Sequence, residues 1–435
     1  MLKRPIVLTL VILLLAGICF AQPGKFPKPR EEKLLNDLKM LIWSQPTAEK
    51  VLVSLRVHSG AAFDPVNKEG TSKLLTEIMF PNTGIFEDFE EDLGGSLKVR
   101  STLDYMQFDM TASPDKLVSV LEILAGAIIN TQIDRETAGI VKKSRIEDLN
   151  KAYSDPGFLA DRAIAERLYG EFPYGRSPVG TLESLEIVDF ADMIFAKQRF
   201  LTADNATLIV SGKVSSSFAY RAARRLLGGW QKGDGRVPPN FTLPESPETA
   251  PLLVNTDFGM NVERRFAVEA ASRRDPVYFA ARVLEKVLDA RVRGQNGGSV
   301  VLNSHFLRGY LVLGETLPWR SGNAPPPLKG DASKEVVKTS FQRLLEQPVT
   351  ETEFAASKQQ VVDEFESKSI IEHWFDVETY RLKSASAEFE KLKAVTLKDV
   401  NDFAKKISVK PIVRVDVVPL EAPARLNDGD PDDPR

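Results

Sequence analysis

Cysteine is nearly absent from this chain of 435 residues, and the single one is Cys19. It lies in a leading segment expected to be removed, so the remainder has no disulfide and no thiol nucleophile. Histidine is almost as scarce. His58, His305 and His373 are far apart in the sequence. A helical zinc site sets two ligands one turn apart so that both face one ion, and no such pair of histidines exists. Each reads most simply as a surface or strand-end residue. No Gly-x-Ser-x-Gly and no Gly-x-x-x-x-Gly-Lys occurs, so the serine nucleophile elbow and the phosphate loop are both missing. Gly297-Gly298-Ser299 reads as a loop entering a strand. A basic excess is missing too: the formal net charge is −3, which argues against a nucleic-acid partner.

What is present is apolar material, 43% of the residues, with 27% charged. That balance is soluble and globular, and the length suits two domains. Lys3 and Arg4, the apolar run 6–18 and the small-residue end Cys19-Phe20-Ala21 have the three-part layout of a secretory signal peptide. Cleavage is expected after Ala21, placing the protein in the periplasm or another extracytoplasmic space. The run is shorter than the ~20 residues of a membrane span, and no second run is long enough, so no stable span is expected after cleavage. Cys19 raises a lipid anchor as an alternative, but Ile18 stands where a small residue should precede a lipidated cysteine.

Residues 22–34 are polar and Pro/Lys-rich and are expected to be flexible. Strands are expected at 38–43 and 50–58, where Val51, Val53, Leu55 and Val57 alternate with Leu52, Ser54 and Arg56. Helices are expected at 70–79, 114–130, 134–150, 157–169 and 189–197, an extended stretch at 96–111 and a short strand at 206–210. Residues 233–251 hold five prolines and form the best linker. Beyond it the order returns: strand 262–268, helix 276–290, paired strands 300–316, helices 334–345, 352–382 and 400–407, strand 412–418. Val188-Asp189-Phe190-Ala191 precedes the strand at Ala206, as Asn401-Asp402-Phe403-Ala404 precedes that at Ile412. A repeat of roughly 200 residues explains this. The fold class is therefore α+β, with two homologous domains (35–232 and 252–420). Each is expected to be a mixed, mostly antiparallel sheet with helices on one face. The acidic, Pro-containing stretch 421–435 reads as a disordered tail.

The run Gly70-Thr71-Ser72-Lys73-Leu74-Leu75-Thr76-Glu77-Ile78-Met79-Phe80-Pro81-Asn82-Thr83 resembles the zinc-site helix of the insulinase/pitrilysin-like metallopeptidases, the processing-peptidase type. Val57-His58-Ser59-Gly60, Gly94-Gly95, Phe172-Pro173-Tyr174-Gly175 with Gly180-Thr181-Leu182-Glu183-Ser184-Leu185, and Ala203-Asp204-Asn205-Ala206 extend the likeness. It covers about residues 35–420. It implies two α+β halves enclosing a chamber, in one subunit or between paired subunits, with zinc as the family's cofactor.

The departures fall on the chemistry. Where the family has His-x-x-Glu-His, this chain has Lys73, Thr76 and Glu77 at the three functional positions. The third ligand, a downstream glutamate, would fall near Glu147 or Asp148. An ammonium repels a dication, and no general base remains for a metal-bound water. The expectation is no catalytic residue, no metal ligand and no cofactor. Of the family's second-domain Arg/Tyr pair, Arg291 and Arg293 stand about where the arginine belongs, with Tyr310 at the wrong spacing. Candidate peptide-binding residues are Ser96, Leu97, Lys98 and Val99, on the corresponding edge segment, with Arg291 and Arg293. The resemblance thus implies a non-catalytic subunit that pairs with an exported active homologue, or with a second copy of itself, and helps bind peptides. Two alternatives stand beside it: an active hydrolase with a rearranged metal site at Glu77 with Glu147 or Asp148, and a structural envelope component like the family's core-protein branch.

Overall fold

Val51, Val53, Leu55 and Val57 all turn to one buried face, and the strand they form, β3 (Val51–Val57), lies inside a six-stranded sheet. The structure is a computed structural model, and its described residues are 26–81, 84–242, 244–294, 297–319 and 340–420. The expected signal peptide, the expected tail and residues 334–339 of an expected helix lie outside them.

The other strands of the first sheet are β1 (Arg30–Lys33), β2 (Lys39–Ser44), β4 (Ser96–Ser101), β5 (Met106–Ala112) and β6 (Ala206–Gly212). Their order is β1-β2-β6-β3-β5-β4. Only β2 and β6 run parallel. Helices of this half are α1 (Thr71–Ile78), α2 (Gly84–Glu91), α3 (Leu117–Ala125), α4 (Arg135–Ala152), α5 (Pro156–Tyr169), α6 (Leu182–Ile187), α7 (Phe190–Phe200) and α8 (Ser216–Leu227).

The second half has strands β7 (Leu252–Thr256), β8 (Asn261–Ala270), β9 (Ser299–Ser304), β10 (Gly309–Pro318) and β11 (Ile412–Pro419). Its order is β7-β11-β8-β10-β9, again with one parallel pair, β7 with β11. Removing β1 leaves the two sheets with one topology. Helices here are α9 (Tyr278–Val292), α10 (Ser340–Glu346), α11 (Glu351–Ser367), α12 (Ile370–Tyr380), α13 (Ala385–Ala394) and α14 (Leu397–Ser408).

Each sheet buries one face under its own helices. The other face is covered by a helix from the opposite half. Ala160, Ile164 and Leu168 of α5 pack on Val413, Val415 and Val417 of the second sheet. Ile371, Trp374 and Phe375 of α12 pack on Leu41 and Ile209 of the first. This exchange explains why β6 is buried along its whole length and reads as a nearly continuous apolar run.

A polar set crosses the same seam. Arg56 of β3 is fully buried. It reaches Gln107 (2.5 Å), Glu372 (2.6 Å), and Asp376 and Thr379 (3.3 Å each), between the rings of Tyr105 and Phe375.

Several expectations change. The stretch 22–34, expected to be flexible, contains β1, which pairs with β2. Phe26 just before it enters an aromatic cluster with Phe365, His373 and Phe389. The expected single helix 352–382 is two helices. Lys368 is extended and the Ser369 hydroxyl accepts from the Ile371 N–H, capping α12. Helices α2, α6, α8 and α13 and strand β7 were not expected. Residues 233–251 are tied down: the Gly233 and Gly235 amides donate to Asp204, and Arg236 donates to the carbonyls of Glu378 and Thr379.

Candidate functional site

Helix α1 is set in place at its start. Gly70 has φ +91°, and a Cβ there would lie 2.9 Å from the Gly180 Cα, so no other residue fits. The buried Asp64 carboxylate accepts from the Gly70 N–H (2.9 Å), the Ser72 N–H (3.0 Å) and the Ser72 hydroxyl (2.6 Å). Burial nonetheless pushes its pKa up to about 7, against those hydrogen bonds. Leu74, Leu75 and Ile78 anchor the helix in the core.

Lys73 and Glu77 sit one turn apart on the half-exposed side of α1. The Lys73 Nζ lies 3.1 Å from a Glu77 carboxylate oxygen. Arg145, on α4, brings its Nε to 3.6 Å from the same oxygen and its Nη2 to 2.5 Å from Asp148. Thr76 is fully buried, and its hydroxyl donates to the Lys73 carbonyl at 2.7 Å. Glu77 is thus one carboxylate between two cations. This donor set does not suit zinc, which wants neutral imidazoles and thiolate or carboxylate oxygens free to bind. Asp148 is engaged by Arg145, and Glu147 is exposed, lining an apolar groove with Lys142, Val188 and Phe190. Glu77 and Asp148 are both drawn to Arg145, while Glu147 faces the groove. Among the described residues no group of three or more His, Cys, Asp or Glu is placed to hold a metal.

Arg145 escaped the sequence reading, although its signal was present. Ala138, Val141 and Leu149 are buried on α4, and 145 continues their inward stripe at helical spacing, whereas 147 and 148 leave it.

The histidines lie apart, and two are more deeply placed than expected. His58 is buried at the end of β3 between the hydroxyls of Thr379 (3.1 Å) and Thr207 (2.9 Å). Burial first, then Arg236 and Arg56, hold its pKa well below the usual imidazole value. His373 is buried on α12 with Nε2 2.9 Å from the Phe365 carbonyl. His305 stands beside Asp104 at 3.6 Å.

Ser96, Leu97, Lys98 and Val99 form most of β4, which among the described residues pairs only with β5 and so ends its sheet. Leu97 and Val99 face the core beneath α1, while Lys98 is exposed on the other face. The second-half arginines are elsewhere, at the end of α9. Arg291 makes a two-point contact with Glu353 (2.8 and 2.9 Å) and donates to the carbonyls of Gln347 and Pro348. It holds the Glu353 carboxyl down to about 2. The guanidinium joins α9 to α11. Arg293 is largely exposed and pairs with Asp289 at 2.7 Å. Tyr310 packs edge-on against Tyr169, within the seam.

Comparison with known proteins places this geometry. Residues 39–181 match the model of the insulinase family, peptidase family M16. Residues 191–361 match that of the M16 inactive domain. The chain belongs to the M16 family. An uncharacterized zinc protease of Rickettsia felis is 23% identical to this M16 chain over 215 residues, 46% of this chain and 50% of that protein. The chain spans about half the length of the curated relatives it matches. Among solved structures, a protease from Helicobacter pylori superposes with TM-score 0.78 at 15% identity, over 90% of this chain and all of that one. An M16 inactive domain from Pseudomonas fluorescens gives 0.76 at 18%, over 91% and 98%. At such identities the likeness to these structures is one of fold.

Proposed function

We propose that this M16 chain is a non-catalytic subunit that pairs with an exported, active zinc metallopeptidase homologue and helps form its peptide-binding chamber. The observation that carries the reading is the Lys73–Glu77–Arg145 cluster. Lys73 and Arg145 flank Glu77, and Thr76, which by resemblance stands for the general base, is buried and bonded to its own helix. In this reading the chain carries no zinc. It acts after export, its signal peptide removed after Ala21. Among the described residues no single helix is long and apolar enough to cross a membrane. Extended peptides are held by strand addition to β4, where main-chain hydrogen bonds give affinity with little dependence on sequence.

The test is co-expression with an exported homologue that carries an intact His-x-x-Glu-His. The two chains are expected to co-purify, with peptide cleavage by the homologue enhanced by this chain. A homologue equally active alone and never found with this chain would overturn the reading, as would stoichiometric zinc with chelator-sensitive cleavage by the purified chain. A homodimer that binds peptide without the homologue would replace the partner by a second copy.

A further inference from the structure

The two sheets end in matching edge strands, β4 and β9, and these edges differ in how their outward amides are occupied. Both lead into a four-residue turn closed by one hydrogen bond: Thr102 N–H to Tyr105 C=O, and His305 N–H to Arg308 C=O, each 2.9 Å. In an antiparallel ladder the amides alternate between the neighbouring strand and the outside. Counting back from each turn, the outward amides are those of Ser101, Val99 and Leu97 on β4, and of Ser304, Leu302 and Val300 on β9. Leu97 and Val300 thus hold equivalent positions, five residues before their turns.

On β9 the outward amide is taken. The Val300 N–H donates to the Asp289 carboxylate of α9 at 3.0 Å. Arg293 holds that carboxylate in place at 2.7 Å. The carboxyl stays below its usual value because the Val300 amide and the Arg293 guanidinium outweigh burial. One turn earlier on α9, the buried Glu285 lies against the next outward amide, that of Leu302. On β4, among the described residues, no side chain takes the Leu97 or Val99 amide.

The composition of the strands makes the difference matter. Sheet edges are guarded against stray pairing by charge, proline or covering side chains. β1 is entirely charged, Arg-Glu-Glu-Lys. β4 carries Lys98 and Arg100. β9, Ser-Val-Val-Leu-Asn-Ser, has no charge and exposes Val301. Left open, β9 would be the better template for an added strand.

We infer that Asp289, positioned by Arg293, closes the β9 edge, so that of these two matching edges only β4 takes an extended peptide. The peptide part of this inference rests on the strand-addition reading above. The closure of β9 stands on its own contacts. Arg293 is thereby a positioning residue and not a peptide contact.

The experiment compares the full mature chain with Asp289→Ala, Asp289→Asn and Arg293→Ala. Hydrogen–deuterium exchange over residues 299–303 reads the closure directly. In Asp289→Ala the Val300 amide is expected to exchange roughly tenfold faster or more, the loss of a hydrogen bond to a charged acceptor. Asp289→Asn keeps an acceptor and retains part of the protection, and Arg293→Ala falls between. Binding of a fluorescein-labelled ten-residue peptide of alternating Val and Thr is expected to saturate at one more peptide per Asp289→Ala chain than per wild-type chain. Unchanged exchange at Val300 in Asp289→Ala overturns the inference, as does the same non-zero number of peptides bound by the wild type and by Asp289→Ala. Faster exchange with no peptide bound by either chain keeps the closure and sinks the strand-addition reading instead.

Discussion

If two cations keep zinc out, restoring the histidines should not restore the metal. The perturbation is Lys73→His with Glu77→His, which puts imidazoles back one turn apart on α1. Arg145 remains. Its Nε is 3.6 Å from the present Glu77 carboxylate oxygen, and ligand atoms sit ~2 Å from zinc, so its charge would lie about 5 Å from the ion. A dication and a cation at that distance repel by about 2 kcal/mol in water and about 7 kcal/mol at an effective dielectric of 20. Even the lower figure is more than tenfold in affinity. Adding Arg145→Gln to the double variant should tighten zinc binding at least tenfold, and Arg145→Glu further, because it also supplies a third ligand. Competition titration against a chromogenic chelator reads all three. Equal zinc affinity in the double variant and in its Arg145→Glu derivative would refute the reasoning. None of these should hydrolyse peptides without Thr76→Glu. That change places a carboxylate at a fully buried position and is expected to lower stability by about 1–3 kcal/mol through overpacking alone.

Three further outcomes are expected. Arg56→Met should destabilise by about 3 kcal/mol, the low end for breaking a buried ion pair, because Glu372 keeps Arg100 and Asp376 keeps Lys368; thermal unfolding checks this, and a loss under 1 kcal/mol would contradict it. The folded Asp64 carboxyl titrates near 7, above its unfolded value, so its contribution is complete below about pH 4 and fades as pH rises through 7. Urea unfolding should therefore show the advantage of wild type over Asp64→Asn shrinking from pH 5 to pH 8, and a constant difference would count against it. Phe26→Ala should cost about 2 kcal/mol, less than a fully buried phenylalanine, with the loss in the α11–α13 cluster; exchange that rises only near β1 would argue otherwise.

The sequence made β3 legible because its second face, although also buried, carries Ser54 and Arg56, so the apolar alternation survives. It was less clear where the physics differs from simple periodicity. Helix α8 buries Ala219, Ala222, Ala223 and Leu227, and alanines leave a faint stripe. β1 is a charged edge strand, and edge protection erases the apolar alternation that marks a strand. The run 352–382 kept helical spacing through a break made by local capping at Ser369. At the site, the positions of Lys73, Thr76 and Glu77 could be read from one motif because they share one helix. Arg145 comes from another helix, 68 residues further along the chain, and only the packing of α1 against α4 brings it to Glu77. The partners of Arg291, Glu353 and the 347–348 carbonyls, were invisible in sequence for the same reason.

Magnitudes also say why the chemistry can be lost while the scaffold stays. In a metal-bearing relative the ion would join α1 to the downstream helix. Here the Glu77–Arg145 contact spans the same gap, but half-exposed ion pairs contribute about 0–1 kcal/mol each. Leu74, Leu75 and Ile78 are almost fully buried, and burial of such side chains is worth about 1.5–3 kcal/mol apiece. The Asp64 cap, with three donors, adds to them. Helix α1 is therefore placed by its apolar side and its N-terminus, with the exposed side nearly neutral to its position. A change of residues there alters what the helix can bind without moving it, and the β4 edge beside α1 keeps its form. On this argument Glu77→Ala should leave stability within about 1 kcal/mol of wild type, whereas Leu74→Ala should lose about 2–5 kcal/mol. The reverse order would mean that the ion cluster, and not the core, holds the site in shape.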